Sequence, residues 1–468
     1  MLPLLSLLAI GCGQPTALID CEALSSVDPE GAALYGSNVL MIVSDDIGID
    51  KTGVYDAHPS PARTPNIDQL ACAGVVFNNA YSNPVCSSSR AAIMTGRHGS
   101  RTGIGRWIHT GTAAFDLRLD EVTLPEMLSA SSHGYTSSAV GKWHLVGFER
   151  DTDPALHPND QGFSYYAGAL GNPNVAIQSG NQPRGYENWE KVTNGSPEWV
   201  TTYMSTDTAN EAAEQIQTLP EPWFLYVAFN GAHQPVHVPP KDLITTATTG
   251  LSSDLKKYNA MVEATDAEIG RVIASIPPDV LARTTIIYTS DNGTQRYAIE
   301  EPWSPRRGKG SLFEGGVNVP MIVTGPFVSR PGSTADALVH FVDFFPTIAE
   351  MAEVPLGNPG DRLELTLDGV SFLEVLDDPD AVGSREVVFS EKFYPNGDPA
   401  DASYHHRMVT DGRWKLIHED EDGVEESLYR LEGWMDGDNL IDAGDDEEAM
   451  AAYELSLIHI SEPTRPDY

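Results

Sequence analysis

The sequence is short of basic residues. Its 468 residues include only 29 Lys and Arg against 67 Asp and Glu, which gives a formal net charge of −38 at pH 7. A field of this sign repels nucleic acid and anionic membrane surfaces, so we expect neither as a general partner. The few cations are grouped, and basic islands in an acidic protein indicate a local site for an anion. These islands are Arg90, Arg97, Arg101 and Arg106, and Arg306, Arg307 and Lys309.

Long apolar runs are also scarce. The N-terminal segment 1–12 carries an apolar run that is too short to span a bilayer and is typical of a secretory signal. Its end, Ala9-Ile-Gly-Cys12, resembles the lipobox of bacterial lipoproteins. We therefore expect an exported bacterial protein, periplasmic or at the cell surface, that is held by a lipid anchor at Cys12.

Cysteine is rare, with four residues in the chain. Cys21 and Cys72 could pair in an oxidising compartment, although two cysteines establish no disulfide framework. Cys86 begins a predicted helix that Gly96 would end as its C-terminal cap. At a helix N-terminus, unpaired N–H groups and the helix dipole favour the anionic form of a thiol and an anion bound beside it. A buried free cysteine without a chemical role is the alternative.

Four short apolar runs are typical of strands buried on both faces of a parallel sheet. They are Asn38–Ser44, Tyr135–Val140, Pro222–Phe229 and Thr284–Thr289. Helical patterns alternate with them, including a helix capped by Thr64 and another predicted from Trp199 to Leu219. The expected fold class is α/β: a large doubly wound mixed sheet flanked by helices, with a smaller C-terminal antiparallel sheet domain.

The composition divides the chain into five expected segments. They are a lipoprotein-type signal peptide (1–12), a tether (13–37), a large α/β domain (38–383), a small C-terminal α+β domain (384–454) and a non-native tail (455–468). The small domain is predicted from short strands separated by Asp-Gly turns. Residues 146–199 have no sustained periodicity, and we interpret them as an ordered, irregular insertion at a substrate rim.

Polar residues follow each of the four apolar runs. They are Asp45 and Asp46, Lys142 and His144, His233, and Asp291 and Asn292. Because the carboxyl ends of parallel strands meet at one edge of a sheet, we expect these side chains to converge there. Taken singly, each cluster also has a structural explanation as a helix cap or a turn.

Together these residues indicate a catalytic site. Carboxylate and amide oxygens suit a hard divalent cation, Ca²⁺ or Mg²⁺, and argue against zinc. The two histidines are candidates for proton transfer. Fixed positive charge would come from Arg90, Lys142 and Lys309.

The segment from Cys86 to Gly96 resembles the signature of the type I, formylglycine-dependent sulfatases, which are arylsulfatase-like members of the alkaline phosphatase superfamily. Cys86, Arg90 and Thr95-Gly96 agree with that signature, and position 88 is Ser where the family usually has Pro or Ala. Two further motifs follow in the family's order, Arg307-Gly-Lys-Gly-Ser-Leu-Phe-Glu-Gly316 and Asp411-Gly-Arg-Trp-Lys415. The resemblance covers most of the chain.

The resemblance implies a sulfuric ester hydrolase in which a formylglycine-generating enzyme converts Cys86 to Cα-formylglycine. One hydroxyl of the hydrated aldehyde would attack sulfur, and the second would allow the resulting ester to be eliminated. Arg90 would orient the hydrate, and His144 would take the proton of the second hydroxyl. The family's sulfate contacts would be Lys142, His233 and Lys309, and its metal ligands Asp45, Asp46, Asp291, Asn292 and the residue derived from Cys86.

The resemblance implies a sulfated small molecule or saccharide as substrate, with sulfated carbohydrate favoured over aryl sulfate. Two alternatives remain from the sequence. One is a phosphodiesterase or phosphonate hydrolase of the same superfamily. The other is a non-catalytic, anion-binding surface protein in which Ser88 blocks maturation of Cys86. Nothing in the sequence indicates an oligomeric state.

Overall fold

The computed structural model describes residues 21–25, 34–108, 115–147, 153–177, 184–356, 365–421, 423–441 and 447–461. The expected signal peptide with Cys12, and most of the expected tether, lie outside these ranges. No helix within them is long and apolar enough to cross a membrane.

The helices of the described residues are α1 (Cys21–Ser25), α2 (Pro65–Ala73), α3 (Cys86–Thr95), α4 (Gly99–Thr102), α5 (Leu124–Leu128), α6 (His157–Asp160), α7 (Met204–Thr218), α8 (Asp254–Ala274), α9 (Pro278–Leu281), α10 (Glu314–Val317), α11 (Phe344–Met351), α12 (Leu373–Asp377) and α13 (Glu447–Ser461).

The strands are β1 (Asn38–Ser44), β2 (Gly74–Tyr81), β3 (Thr136–Gly141), β4 (Tyr165–Gly168), β5 (Trp189–Thr193), β6 (Ser196–Val200), β7 (Trp223–Ala228), β8 (Thr284–Ser290), β9 (Met321–Thr324), β10 (Ser333–His340), β11 (Val388–Tyr394), β12 (Tyr404–Thr410), β13 (Trp414–Asp420), β14 (Val424–Glu432) and β15 (Met435–Asn439).

Ten strands form one mixed sheet in the order β10-β2-β9-β8-β1-β7-β3-β4-β5-β6. The strands β8, β1, β7 and β3 are neighbours and run parallel. Antiparallel pairing of β9 with β2 and β8, and of β5 with β4 and β6, makes the sheet mixed. The four apolar runs therefore lie side by side, with their carboxyl ends at the same edge, and the predicted fold class is confirmed.

Strand β1 shows why these runs lack polar alternation. All seven of its residues are buried. Val39, Met41 and Val43 pack on one face with α3, α5 and α11, whereas Leu40 and Ile42 pack on the other face with α2, α7 and α8. Because helices cover both faces of the sheet, the strand is apolar from Val39 to Val43, and only its two end residues are polar.

The strands β11 to β15 form a second, antiparallel sheet in sequence order. Helix α13 packs on it through Ala449 and Ile460, which share a core cluster with Trp414. The helix crosses residue 455 without a break, so the described part of the expected non-native tail is helical. Residues 462–468 lie outside the described ranges.

The region 146–199 corrects two expectations. Its described residues are not irregular throughout, because β4, β5 and most of β6 lie within it and extend the main sheet. Asn194 and Gly195 both have positive φ and form the two-residue turn between β5 and β6. Trp199 belongs to β6, so the helix expected to begin there begins at Met204. Asn-Gly is a strong hairpin signal, and it predicts the two strands that we missed.

Cys21 and Cys72 form a disulfide between α1 and α2. Leu24 of α1 also shares a buried apolar cluster with Ile67 and Leu70 of α2. The bridge therefore fixes the N-terminal helix to the face of the main sheet, and it confirms the pairing proposed from the sequence.

Candidate functional site

Four neighbouring strands carry the predicted site residues at their carboxyl ends. Asp45 and Asp46 follow β1, Lys142 follows β3, and Asp291 follows β8. His233 lies in the segment after β7, whose backbone is joined to that of Asp45 by hydrogen bonds in both directions. The parallel pairing of the four strands brings these residues to one place, as the polar strand ends predicted.

Three carboxylates and a thiol form the centre of the site. Asp45, Asp46, Asp291 and Cys86 each direct one possible ligand atom into a group whose members lie within 4.8 Å of one another. All four side chains are buried. Asn292 Nδ2 donates to Asp46 Oδ1 at 2.7 Å. The buried Oδ1 of Asn292 accepts no hydrogen bond from any described residue.

These donors fit a hard divalent cation. Several carboxylate oxygens are buried close to one another, and the amide oxygen of Asn292 beside them has no partner among the described residues. Binding of Ca²⁺ or Mg²⁺ would satisfy both. Burial and the charge of Asp291 raise the pKa of Asp45 to about 8. The protein's own cations thus leave part of the carboxylate repulsion uncompensated.

Two lysine side chains contact the carboxylates. Lys142 Nζ donates to Asp45 Oδ2 at 2.5 Å, and both side chains are fully buried. Lys309 Nζ contacts Asp46 Oδ1 and lies 3.2 Å from Cys86 Sγ. Burial raises the pKa of Asp46, but the charges of Lys309, His233 and Lys142 outweigh it and hold that pKa below its usual range.

Arg90 lies deeper in the site. Its Nε and Nη2 donate to Asp291 Oδ2 at 3.0 and 2.8 Å, and its Nη1 donates to the carbonyl oxygen of Lys142 at 2.8 Å. The arginine therefore joins the ends of β8 and β3 and is held away from solvent. The expected role in orienting a hydrate on residue 86 is not tested by this arrangement.

Cys86 begins α3 as the sequence predicted, and Gly96, at φ +66°, provides the C-cap. The side chains around the sulfur oppose the anionic form of the thiol that the helix N-terminus favours. Burial and the carboxylate of Asp291 raise the pKa of Cys86 to about 12, although Lys142 and Lys309 act in the opposite direction. The helix N-terminus does not compensate for two carboxylates at short range, since Asp45 Oδ1 lies 3.6 Å from the sulfur.

The two histidines differ in their surroundings. His233 Nδ1 lies 2.7 Å from the carbonyl oxygen of Gln234, which can only accept, so Nδ1 carries the proton and Nε2 faces Asp46 at 3.9 Å. Burial is the main cause that lowers the pKa of His233 to about 3. His144 is buried at φ +60°, and its Nδ1 has no hydrogen-bond partner among the described residues. Burial and Lys142 hold the pKa of His144 well below its usual range.

The sequence analysis missed two residues that contact Asp46. Gln295 Nε2 donates to its Oδ2 at 2.6 Å, and the hydroxyl of Tyr258 contacts its carbonyl oxygen. Gln295 lies three residues beyond Asn292 in the same strand exit, so position alone could have indicated it. Tyr258 comes from α8, and no local pattern connects it to the site.

The comparisons with known proteins agree with this geometry. The family model described as Sulfatase matches residues 37–354, and that described as N-sulphoglucosamine sulphohydrolase, C-terminal, matches residues 307–459. Arylsulfatase J of Mus musculus is 29% identical over 346 residues, covering 72% of this chain and 55% of the relative. N-acetylgalactosamine-6-sulfatase of Homo sapiens is 31% identical over 372 residues, covering 72% of this chain and 65% of the relative.

Among solved structures, that of Ps i-CgsB in complex with k-i-k-neocarrahexaose has a similar fold, with a TM-score of 0.70, 24% identity and 90% of each chain covered. The chain spans between about half and two thirds of the length of the two relatives above. The first family model alone matches well over half of the chain. The chain therefore belongs to the sulfatase family.

Proposed function

We propose that this protein hydrolyses sulfate esters, with sulfated carbohydrate favoured over aryl sulfate as substrate. The observation that carries the proposal is the position of Cys86 in a chain of the sulfatase family. It begins a helix, lies among three buried carboxylates, and has Lys309 Nζ 3.2 Å from its sulfur. The human relative named above acts, by its name, on a sulfated amino sugar.

The nucleophile is proposed to be Cα-formylglycine, formed from Cys86 by a formylglycine-generating enzyme. A buried thiol with a pKa near 12 is a poor nucleophile at neutral pH, which supports a modified residue at this position. A hydrated aldehyde supplies two hydroxyl groups on one carbon. Ser88 Oγ donates to the carbonyl oxygen of Val85 at 3.0 Å, so its hydroxyl is satisfied within the first turn of α3.

The cation is proposed to be Ca²⁺ or Mg²⁺. Its ligands would be Asp45, Asp46, Asp291, Asn292 and the residue derived from Cys86. When bound, it would polarise a sulfuryl oxygen and offset the mutual repulsion of the carboxylates. Gln295, which donates to Asp46, would fix the orientation of that carboxylate.

The remaining residues would bind the sulfate and move protons. Lys142 and Lys309 would neutralise its charge, and Arg90 would hold Asp291 and the end of β3 in position. His233 Nε2 is the ring atom free to exchange a proton with a substrate oxygen, because Nδ1 is bonded to a carbonyl. His144 would accept the proton whose loss releases sulfate.

Export and the domain division are also proposed. The disulfide between Cys21 and Cys72 suits an oxidising compartment, which supports a periplasmic or cell-surface protein with a lipid anchor. Along the chain, β10 is the last strand of the ten-stranded sheet and β11 is the first strand of the five-stranded sheet. This order supports an α/β catalytic domain at 38–383 and a small domain at 384–454.

The test combines mass spectrometry with turnover. The protein is produced with a formylglycine-generating enzyme, and the peptide that contains Cys86 is examined for exchange of the thiol sulfur for an aldehyde oxygen. Hydrolysis of 4-nitrophenyl sulfate is then compared with that of 4-nitrophenyl phosphate, with Cys86→Ala as the control. We expect the aldehyde and a preference for sulfate that the control lacks.

Each contrary result has a distinct meaning. Modified protein that prefers the phosphate ester contradicts the sulfatase proposal in favour of phosphoryl transfer. If the thiol is intact, Ser88→Pro is tested. Restored modification and turnover in that variant would show that Ser88 blocks maturation and that the natural chain is a non-catalytic anion-binding protein.

A further inference from the structure

The basic island that begins at Arg90 is mostly neutralised in the folded protein. Arg90 pairs with Asp291, Arg97 with Glu121 and Arg101 with Asp368. Arg106 differs, because no carboxylate among the described residues pairs with its guanidinium. Within the described part of the chain it is thus a cation without a counter-charge, in a protein whose net charge is −38.

The guanidinium of Arg106 lies over two aromatic rings instead. Its guanidinium carbon lies 3.9 Å from the ring centroid of Trp107 and 4.4 Å from that of Tyr394. Trp107 is 42% exposed and Tyr394 is 45% exposed, so the group is open to solvent. We call these three residues the arginine clamp. Contact with two aromatic rings restricts the guanidinium, and none of its N–H groups donates a hydrogen bond to a described residue, so they are available to a ligand.

Hydrogen bonds and ring stacking hold the residues of the arginine clamp in position. Asn396 Oδ1 accepts hydrogen bonds from the backbone N–H groups of Gly105 and Arg106 at 3.1 and 3.0 Å. The backbone N–H of Phe393 donates to the carbonyl oxygen of Gly105 at 3.2 Å. The ring of Tyr404 stacks on Tyr394 with centroids 6.2 Å apart. The two segments that carry the clamp are therefore joined to each other.

Both segments are also joined to the proposed active site. Ile108, next to Trp107, donates its backbone N–H to the hydroxyl of Ser87 at 3.0 Å, and Ser87 follows Cys86 in α3. Lys392, two residues before Tyr394, donates to the carbonyl oxygen of Gly310, which follows Lys309. The clamp is therefore connected on one side to the residue that carries the nucleophile and on the other to a sulfate-binding lysine.

We propose that the arginine clamp binds a second sulfate group of a multiply sulfated saccharide whose first sulfate lies at Cys86. The inference rests on the proposed function and extends it to a substrate class. A planar guanidinium matches the geometry of an oxyanion and can donate two parallel hydrogen bonds to it. Since the rest of the surface repels polyanions, an unpaired cation at this point selects saccharides with a sulfate at the matching position.

Calorimetric titration with sucrose octasulfate tests the clamp without turnover. The protein carries Cys86→Ala and the ionic strength is physiological, so that long-range repulsion is screened. We expect Arg106→Gln to weaken binding about tenfold or more, since a charge-assisted hydrogen bond is lost. Arg106→Lys keeps the positive charge but loses the planar guanidinium, with its paired N–H donors and its contacts with the aromatic rings. It should weaken binding by a smaller factor than Arg106→Gln does.

Arg430→Gln is the matched control. Arg430 also stands over an aromatic ring, that of Trp414 at 5.9 Å, and no carboxylate among the described residues pairs with it. It should change the dissociation constant less than about twofold. Equal weakening by Arg106→Gln and Arg430→Gln, or no weakening by Arg106→Gln, overturns the clamp. So does Arg106→Lys protein that binds as tightly as the parent.

This outcome is separate from that of the proposed function. Suppose that the protein hydrolyses 4-nitrophenyl sulfate but that Arg106→Gln leaves its affinity for sucrose octasulfate unchanged. This result overturns the clamp and leaves the sulfatase proposal intact. Binding that depends on Arg106 without hydrolysis of any sulfate ester by formylglycine-containing protein overturns the sulfatase proposal and leaves an anion site.

Discussion

Arg90 and Asp291 form an ion pair in which both side chains are fully buried. Two nitrogens of the guanidinium donate to the same carboxylate oxygen, and a third donates to the carbonyl oxygen of Lys142. The pair therefore joins the ends of β8 and β3 at the carboxylate cluster. Removing one partner of such a pair leaves the other as an uncompensated charge away from water.

Arg90→Leu should lower the free energy of unfolding by about 3–5 kcal/mol, because Asp291 remains buried without its counter-charge. Urea denaturation followed by circular dichroism measures this loss. Arg97→Leu is the control, since Arg97 pairs with Glu121 but its side chain is 29% exposed, and about 1 kcal/mol is expected there. The double variant Arg90→Leu, Asp291→Asn should lose less than the sum of its single variants. Equal losses at Arg90 and Arg97 would contradict this account.

Divalent cations should stabilise the folded protein through the buried carboxylates. After treatment with EDTA, millimolar Ca²⁺ or Mg²⁺ should raise the melting temperature of the natural chain, because a ligand that binds only the folded state adds to its stability. Asp46→Asn should lose most of this shift. Asp207→Asn is the control, because Asp207 is a carboxylate paired with Lys191 outside the cluster, and it should keep the shift. A shift in Asp46→Asn protein equal to that of the control would rule out the proposed ligand set.

The sequence predicts the central part of the site well because the signals there are local. A parallel strand that is buried on both faces is mostly apolar, and the residues that follow it lie at the ligand-binding edge of the sheet. Asp45 and Asp291 therefore could be assigned to one place before their strands were known to be neighbours. Strands β2 and β10 were not predicted, although β2 leads directly to Cys86.

Properties that depend on distant residues were not predictable in the same way. The pKa of Cys86 is raised by burial and by the carboxylate of Asp291, some two hundred positions away, and neither can be read from the local sequence. The helix α2 gives a second example. Thr64 precedes it as an expected cap, but its side chain makes no capping hydrogen bond. Asp266 of α8 accepts from the backbone N–H groups of Asn66 and Ile67 at 3.1 and 2.9 Å instead.

Asp266 should make stability depend on pH. Burial raises its pKa to about 7, above the ordinary value of about 3.9 in an unfolded chain. The fold thus favours the protonated form, so the contribution of Asp266 is largest below about pH 4 and is lost as the pH rises through about 7. Asp266→Asn does not titrate, so its stability relative to that of the natural chain should rise as the pH increases from about 4 to about 7.

Denaturant unfolding at several pH values measures this gain. Asp254→Asn is the control, because Asp254 begins the same helix with a side chain that is 70% exposed; its stability should follow that of the natural chain at every pH. Asp266→Ala removes the cap and should cost about 1–2 kcal/mol. If the free energies of unfolding of Asp266→Asn and of the natural chain change with pH in the same way, the carboxyl group of Asp266 has the same pKa in the folded and the unfolded chain, which contradicts the prediction.

The disulfide between Cys21 and Cys72 should stabilise the fold through the unfolded state. The two cysteines are 51 positions apart, and a closed loop of that length restricts the unfolded chain by about 4 kcal/mol in the chain-entropy account. A reducing agent should therefore lower the melting temperature of the natural chain. The variant Cys21→Ser, Cys72→Ser should melt at that lower temperature and respond no further. Because Cys86 is buried, it should contribute nothing to the response, and an effect of the reducing agent on the double variant would contradict this assignment.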